Sequence, residues 1–399
     1  MNLLAFGSNA KGQLGIGSEQ DSATPVQCLH VSGSHSVPIS SLDIKKVTGG
    51  GNHSAILTSI GDLWMSGDSS CHQCGGDISN TRFTLKSFLN GAARWMDVAC
   101  GWTSTILVSH AGDVYAMGRS VHGELGLGPE TFSTDTPTLV RGVDCVVRVA
   151  CGLRHVVVLR EDGSVWGWGS GRHGELGGID EKDRRQYAES ASLKQPGKRN
   201  HHPVWRPICI HPATPPIASI ACGEGLTVLL TVTGNCLTMG QNKHGQLGRA
   251  HPDTCMSSAV LDRVPGLPSR VCEVSVGWHH VVVMLDTGEA WAWGRGDHGQ
   301  LGTRRTAEEW AGDHVAIAFR PVKVAVEGRV AWVACGSEHV IAGVEKGAVV
   351  AWGWNEHGNC GGGADGADVW VPRVVEGVSG VMVGAGAGCG SSWVWTTRE

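Results

Sequence analysis

The sequence predicts an all-β chain folded as a seven-bladed β-propeller of four-stranded blades, on three observations. First, an apolar strand running into Gly-x-x-x-x-Gly-x-x-Gly occurs seven times, most fully as Val349–Gly361. The glycines that end these strands, Gly7, Gly67, Gly118, Gly169, Gly240, Gly294 and Gly353, lie 60, 51, 51, 71, 54 and 59 residues apart, a period that belongs to repeat architectures. Second, another motif alternates with the first and also has seven copies, starting at Val47, Val98, Val149, Ile220, Val274, Val333 and Val383. Third, most copies of it run into a turn signal, such as Asp162-Gly163 or Thr287-Gly288, of the kind that joins two strands of a hairpin.

Each unit then reads as four strands. An apolar run ends at the glycine of Ala-Cys-Gly, and a second run follows, Val156–Leu159 in the third copy. A tight turn leads to a third strand, Val165–Trp168, and the glycine loop leads to a fourth. Thr-Pro or Pro often introduces that fourth strand, as at Thr24-Pro25, Thr136-Pro137 and Pro321. Val381–Trp395 supplies the early strands of a blade and Leu3–Phe6 supplies a third strand, so one blade is expected to be closed by both ends of the chain. Residues 1–399 form one propeller on this reading, with a polar insertion at about 179–207. That insertion is a surface loop or a partner-binding loop.

Composition agrees. Of 399 residues, 59 are glycine and 41% are hydrophobic, which suits many turns around a packed core and excludes a disordered chain. The net charge of −5, with no basic tail, argues against direct nucleic-acid binding. No run of about 18 apolar residues is present to span a membrane as a helix. The chain enters its first repeat at Leu3 with no secretory leader, and cysteines recur at one repeated position, Cys100, Cys151, Cys222 and Cys335. They read as buried small hydrophobes in a reducing compartment, with the cytoplasm, and also the nucleus, as the expected location.

In an antiparallel meander alternate connections share a face, so the Gly-x-x-His loops should ring the axis with the longer glycine loops outside them. That arrangement gathers Asn52, His53, Trp102, Arg154, Trp278, His279, Glu338 and His339 near a channel mouth, flanked by Glu356, His357 and Asn359. These residues are the candidate partner-binding set. Trp102 and Trp278 are the expected anchors, because each directly follows a turn glycine where other copies carry Leu153, Glu224 or Ser337. The histidines His53, His155, His280 and His339 recur in the frame of the repeat, so a hydrogen bond pinning the turn is the plainer role for them. No catalytic triad, paired-carboxylate signature or metal motif stands out, so no catalytic residue, cofactor or metal is assigned. Cys71-His72-Gln73-Cys74 lacks a second pair for zinc; Cys74 and Cys360 stand where other copies carry Leu14, Leu125, Leu176, Leu247 and Leu301. The glycine loops lack the Walker lysine and a following helix, so their glycines are expected to supply positive φ.

The paired motifs resemble the regulator of chromosome condensation repeat family over the whole chain. A narrower resemblance, carried by Gly51-Asn52-His53-Ser54, Ala99–Trp102, Gly336–His339 and Trp352–Gly361, is to its fungal α-tubulin-suppressor, Elongator-associated branch. That resemblance implies a non-enzymatic scaffold forming a heterodimer with a small CSL-type zinc-finger electron carrier. It also implies contact with Elongator and diphthamide synthesis proteins, in support of diphthamide synthesis on elongation factor two and tRNA wobble uridine modification. The broad family implies an alternative, a guanine nucleotide exchange factor for a Ran-type GTPase. A tryptophan-based ultraviolet receptor would need Gly-Trp-Arg-His-Thr on successive units, and only Gly277-Trp278-His279-His280 approaches it.

Overall fold

A computed structural model describes residues 1–40, 42–76, 79–88, 94–178, 203–249, 256–304, 316–345, 347–362 and 366–397. Seven antiparallel sheets stand around one axis. Their innermost strands, from blade one to blade seven, are Ile44–Gly49, Trp95–Cys100, Val146–Cys151, Ile217–Cys222, Val271–Val276, Val330–Cys335 and Met382–Ala387. Each inner strand packs against the next, and the seventh returns to the first. The ring therefore closes and leaves no inner edge exposed.

Blade seven is stitched as the sequence reading expects. From outside in, its strands are Ser22–Gln27, Asn2–Gly7, Ser391–Thr396 and Met382–Ala387. Leu3 pairs with Trp395 and Ala5 with Trp393, so residues almost 400 apart in sequence lie side by side. Blade one carries an addition that the repeat pattern does not announce. A hairpin of Leu29–Ser32 and His35–Pro38 joins its outer edge through one parallel bridge, His30 to Phe83, making that sheet six-stranded. Most of the insertion at 179–207 lies outside the described residues, as does most of the polar excursion after Thr303; Val204–His211 forms the outer strand of blade three.

The core lies between blades rather than at the axis. Val157, Leu159 and Val165 of blade three meet Ile217, Ile220 and Leu229 of blade four in one buried cluster. Second strands have neighbours on both faces, which is why they are continuous apolar runs without alternation. His53–Thr58 and Leu226–Thr231 are buried at every position. The prolines of the outer strands sit where pairing slips: Pro137 lies in the register shift opposite Ala116 and Gly118.

A tryptophan ties neighbouring blades together. The indole nitrogens of Trp168, Trp293 and Trp352 donate to the carbonyls of Glu124, Gln246 and Gln300 in the preceding blade, at 2.8, 2.9 and 2.9 Å. Each indole lies against the last glycine of that blade's long loop. A Cβ on Gly126, Gly248 or Gly302 would stand 2.9, 2.7 or 2.8 Å from the indole nitrogen, and all three glycines have positive φ. These loop glycines thus combine a left-handed backbone with close approach. Trp293→Ala is expected to cost about 3–5 kcal/mol through the cavity and the lost bond. Gly248→Ala should also lower the midpoint of thermal unfolding, because both its backbone and the space above it are closed to a methyl group. A melt of either variant matching the parent would refute this tie.

Candidate functional site

The loops between first and second strands form a ring over one end of the axis. They are linked backbone to backbone. The amide of Leu153 donates to Gly223, Glu224 to Trp278, Trp278 to Ser337, Ser337 to Cys389 and Cys389 to Gly50, at 3.4, 3.0, 2.8, 3.1 and 3.3 Å. Each bond joins one blade to the next. The glycine that opens each loop makes this possible by lacking a side chain. A Cβ on Gly277 would stand 2.7 Å from the carbonyl of Gly336 and 2.1 Å from the ring of His280; on Gly336 it would stand 2.7 Å from Gly388 and 2.0 Å from His339. Close approach, not positive φ, selects glycine at these positions.

The repeated histidines pin the same loops. His53 Nε2 meets the Thr105 hydroxyl at 2.9 Å, His155 meets Thr227 at 3.0 Å and His339 meets Ser392 at 2.9 Å, each partner belonging to the next blade. The hydroxyls in turn donate to the carbonyls of Gln73, Glu175 and Asn359. That direction makes each imidazole the donor at Nε2. Burial drives His53 and His155 down to about 4 and His339 to about 3, so all three are neutral. His280 departs from the pattern. The matching position in the next blade is Val340, and neither ring nitrogen of His280 has a partner among the described residues.

The tryptophans separated by 176 residues come together. Trp102 of blade two and Trp278 of blade five have ring centroids 5.9 Å apart, tilted by 50°. Both line the mouth of an axial cavity of about 270 Å³ whose wall includes Cys100, Cys151, Cys222 and Cys335. These four thiols form no disulfide, and burial raises the pKa of each. Trp102 is 44% exposed.

Next to Trp278 lies an ionic cluster built from three blades. His279 donates from Nε2 to Glu224 at 2.7 Å and from Nδ1 to Glu338 at 3.1 Å. Arg295 donates to the same Glu338 oxygen at 3.1 Å, and Gln300 to its other oxygen at 2.7 Å. Arg295 also pairs with Asp297 at 2.7 Å. Burial opposes charge on His279, but its hydrogen bonds to Glu224 and Glu338 outweigh burial and raise it to about 9. Burial likewise opposes charge on Glu338, and the bonds from His279 and Gln300 bring it down to about 2. A buried imidazolium therefore stands between two carboxylates and anchors the loop that carries Trp278.

The candidate residues divide by exposure. Trp102, Arg154 and Glu356 are exposed, and Asn52, Trp278 and His357 are half-buried. His357 bonds Asp21 across the blade seam at 2.7 Å and stacks edge-on against Trp354 at 5.2 Å. His53, His279, Glu338, His339 and Asn359 are buried, and the first four are engaged by the contacts above. Asn359 replaces the Gln or Glu whose side chain, in other copies, accepts the amide two residues earlier, as Gln300 does for His298 at 2.8 Å. One methylene shorter, it leaves its own amide group without a partner among the described residues. Cys74 and Cys360 fill the leucine position as expected. Both are buried, with thiols bonded to local carbonyls, and burial raises Cys74 to about 12. Sequence reasoning missed Glu224, Arg295 and Gln300, which complete the His279 cluster.

The description of the RCC1-like domain matches residues 2–394. The chain belongs to that family. It is 32% identical to a mouse secretion-regulating guanine nucleotide exchange factor, over 97% of this chain and 82% of that protein. It is 27% identical to the Arabidopsis thaliana ultraviolet-B receptor, over 94% and 78% respectively. The crystal structure of Prp20p from Saccharomyces cerevisiae superposes with a TM-score of 0.80 at 20% identity, covering all of this chain and 92% of that one. These matches correct the narrower resemblance. The relative at 32% identity is an exchange factor, and an exchange factor is a catalyst, so the non-enzymatic scaffold for a CSL-type zinc-finger protein is overturned. The expected partners, that zinc finger with Elongator and the diphthamide synthesis proteins, fall with it.

The ionic cluster has a pH signature. His279 has its folded value raised above about 6.5, so its contribution is full below that pH and is lost as pH rises through about 9. Glu338 has its folded value lowered, so its contribution is present above about 4.5 and is lost only as pH falls through about 2. Thermal stability should therefore decline between pH 6.5 and 9.5, and Glu338→Gln should flatten that decline while costing about 3 kcal/mol at pH 6. An unchanged alkaline slope in the variant would rule out the cluster as its source.

Proposed function

We propose that this chain is a guanine nucleotide exchange factor for a small GTPase, and that the loop face around Trp102 and Trp278 is its docking surface. The observation that carries the reading is the alignment with an exchange factor along nearly the whole chain and most of that relative. The geometry suits the task. An exchange factor works by binding the nucleotide-free GTPase more tightly than the loaded one, so the differential contacts do the work. A thousandfold acceleration asks for only about 4 kcal/mol of such difference.

Here the face offers a platform of hydrogen-bonded loops. Backbone bonds link the loops of blades three to seven and reach blade one, and the His279 cluster holds the Trp278 loop. On that platform the exposed Trp102 indole is the anchor, and Arg154 and Glu356 present opposite charges from separate blades. The Ran-type GTPase is the substrate that the repeat family suggests.

The test is release of fluorescent GDP from a purified Ran-type GTPase. The chain should accelerate release catalytically, at substoichiometric amounts. Trp102→Ala and Trp278→Ala should each reduce the second-order rate about 30-fold, the value of a hot-spot tryptophan of about 2 kcal/mol. Release at the intrinsic rate in the presence of excess folded protein would defeat the reading; acceleration untouched by both substitutions would move the docking surface elsewhere.

A further inference from the structure

A second cavity, of about 430 Å³, opens beside the axial mouth, between the loops of blades two and three. Its apolar lining includes the indoles of Trp102 and Trp278 with Val121 and Leu153. Its ionisable side chains include Arg119, Arg154, His122 and Glu124. The carboxylate is already engaged. One oxygen of Glu124 accepts the Ser120 hydroxyl at 3.0 Å and the amides of Val121 and His122 at 2.9 and 2.7 Å. The guanidiniums are not. Arg119 and Arg154 are exposed; their backbones are hydrogen-bonded, but neither guanidinium has a hydrogen-bond or salt-bridge partner among the described residues. The charge of Arg172 reaches the same place: burial lowers the pKa of His122, the Glu124 carboxylate opposes this, and Arg154 and Arg172 add to the lowering. In a chain of net charge −5, this is a local concentration of positive charge around an aromatic-walled hollow.

We propose that this cavity is a binding site for a free nucleotide, with its phosphates on Arg119 and Arg154 and its base against Trp102. Three requirements meet here. Guanidiniums take phosphate oxygens in pairs, and two free ones suit a diphosphate. An exposed indole provides a stacking face that every base can use. The volume falls in the range of small-ligand sites, about 300–1,000 Å³, whereas a flat charged patch would have none. The site shares Trp102, Trp278 and Arg154 with the proposed docking surface, but it is tested without a GTPase, so either reading can fail while the other stands.

The experiment is equilibrium titration of the purified full chain with N-methylanthraniloyl-GDP, read as energy transfer from tryptophan, with no GTPase present. Saturable transfer is expected. Unlabelled GDP should displace the probe, and guanosine and inorganic pyrophosphate should each compete at least about tenfold more weakly, since each supplies half of the contacts. The Arg119→Ala/Arg154→Ala double variant should bind at least about tenfold more weakly with an unchanged thermal melt, both side chains being exposed. No saturation up to about 1 mM, or equal affinity in the double variant, overturns the proposal. Pyrophosphate competing as well as GDP also overturns it, leaving an anion patch in which the indoles play no part.

Discussion

Around most of the ring, neighbouring loops can touch over the axis only because the glycine that opens the loop has no side chain. At Gly152, Gly277 and Gly336 a methyl group would collide with both a carbonyl of the next blade and the imidazole that follows. Everything on the face depends on that contact. It lets one loop's amide reach the next loop's carbonyl, and it brings side chains from separate blades within bonding distance. Without it the seven units would meet only through their apolar flanks, and the loops would be free to move independently.

The face is consequently rigid and electrically uneven. Over blades two and three it carries unpaired guanidiniums around a hollow. Over blades four to six lies a cluster whose members satisfy one another, with His279 between Glu224 and Glu338 and Arg295 closing the group. Trp102 and Trp278 meet on the boundary between the two halves. Paired charges give shape and stability; unpaired ones give attraction to something outside. The division assigns the first task to one side of the mouth and the second to the other.

The fold was legible because a closed repeat imposes the same demands on every unit. The glycine period, the apolar second strands and the split seventh blade are each requirements of closure, and each leaves a fixed mark in sequence. The hairpin Leu29–Pro38 was not legible, since it belongs to one blade and breaks no pattern. Trp102 and Trp278 stood out by occupying a loop position held by smaller or polar residues elsewhere. Their meeting did not, and neither did the cluster around His279, whose partners lie 55 residues before and 59 after it at Glu224 and Glu338. Reach across blades depends on rotamers that spacing does not encode. The narrower family resemblance misled for a related reason. Gly51-Asn52-His53 and Gly336–His339 contain the close-approach glycines and pinned histidines that hold any such ring together, so they report architecture and not the branch.

Blade seven places the strand Asn2–Gly7 between one partner that follows it closely in sequence and another nearly 400 residues later. On a ribosome adding about 5–20 residues per second, the pairing of Leu3 with Trp395 must wait about 20–80 s. Six blades can stack in that interval, but the ring stays open, and the early strand keeps its apolar side chains and one hydrogen-bonding edge uncovered. The nascent chain is therefore exposed to misassembly at this waiting strand, and a chaperone that shields Asn2–Gly7 until Ser391–Thr396 emerges would protect the fold.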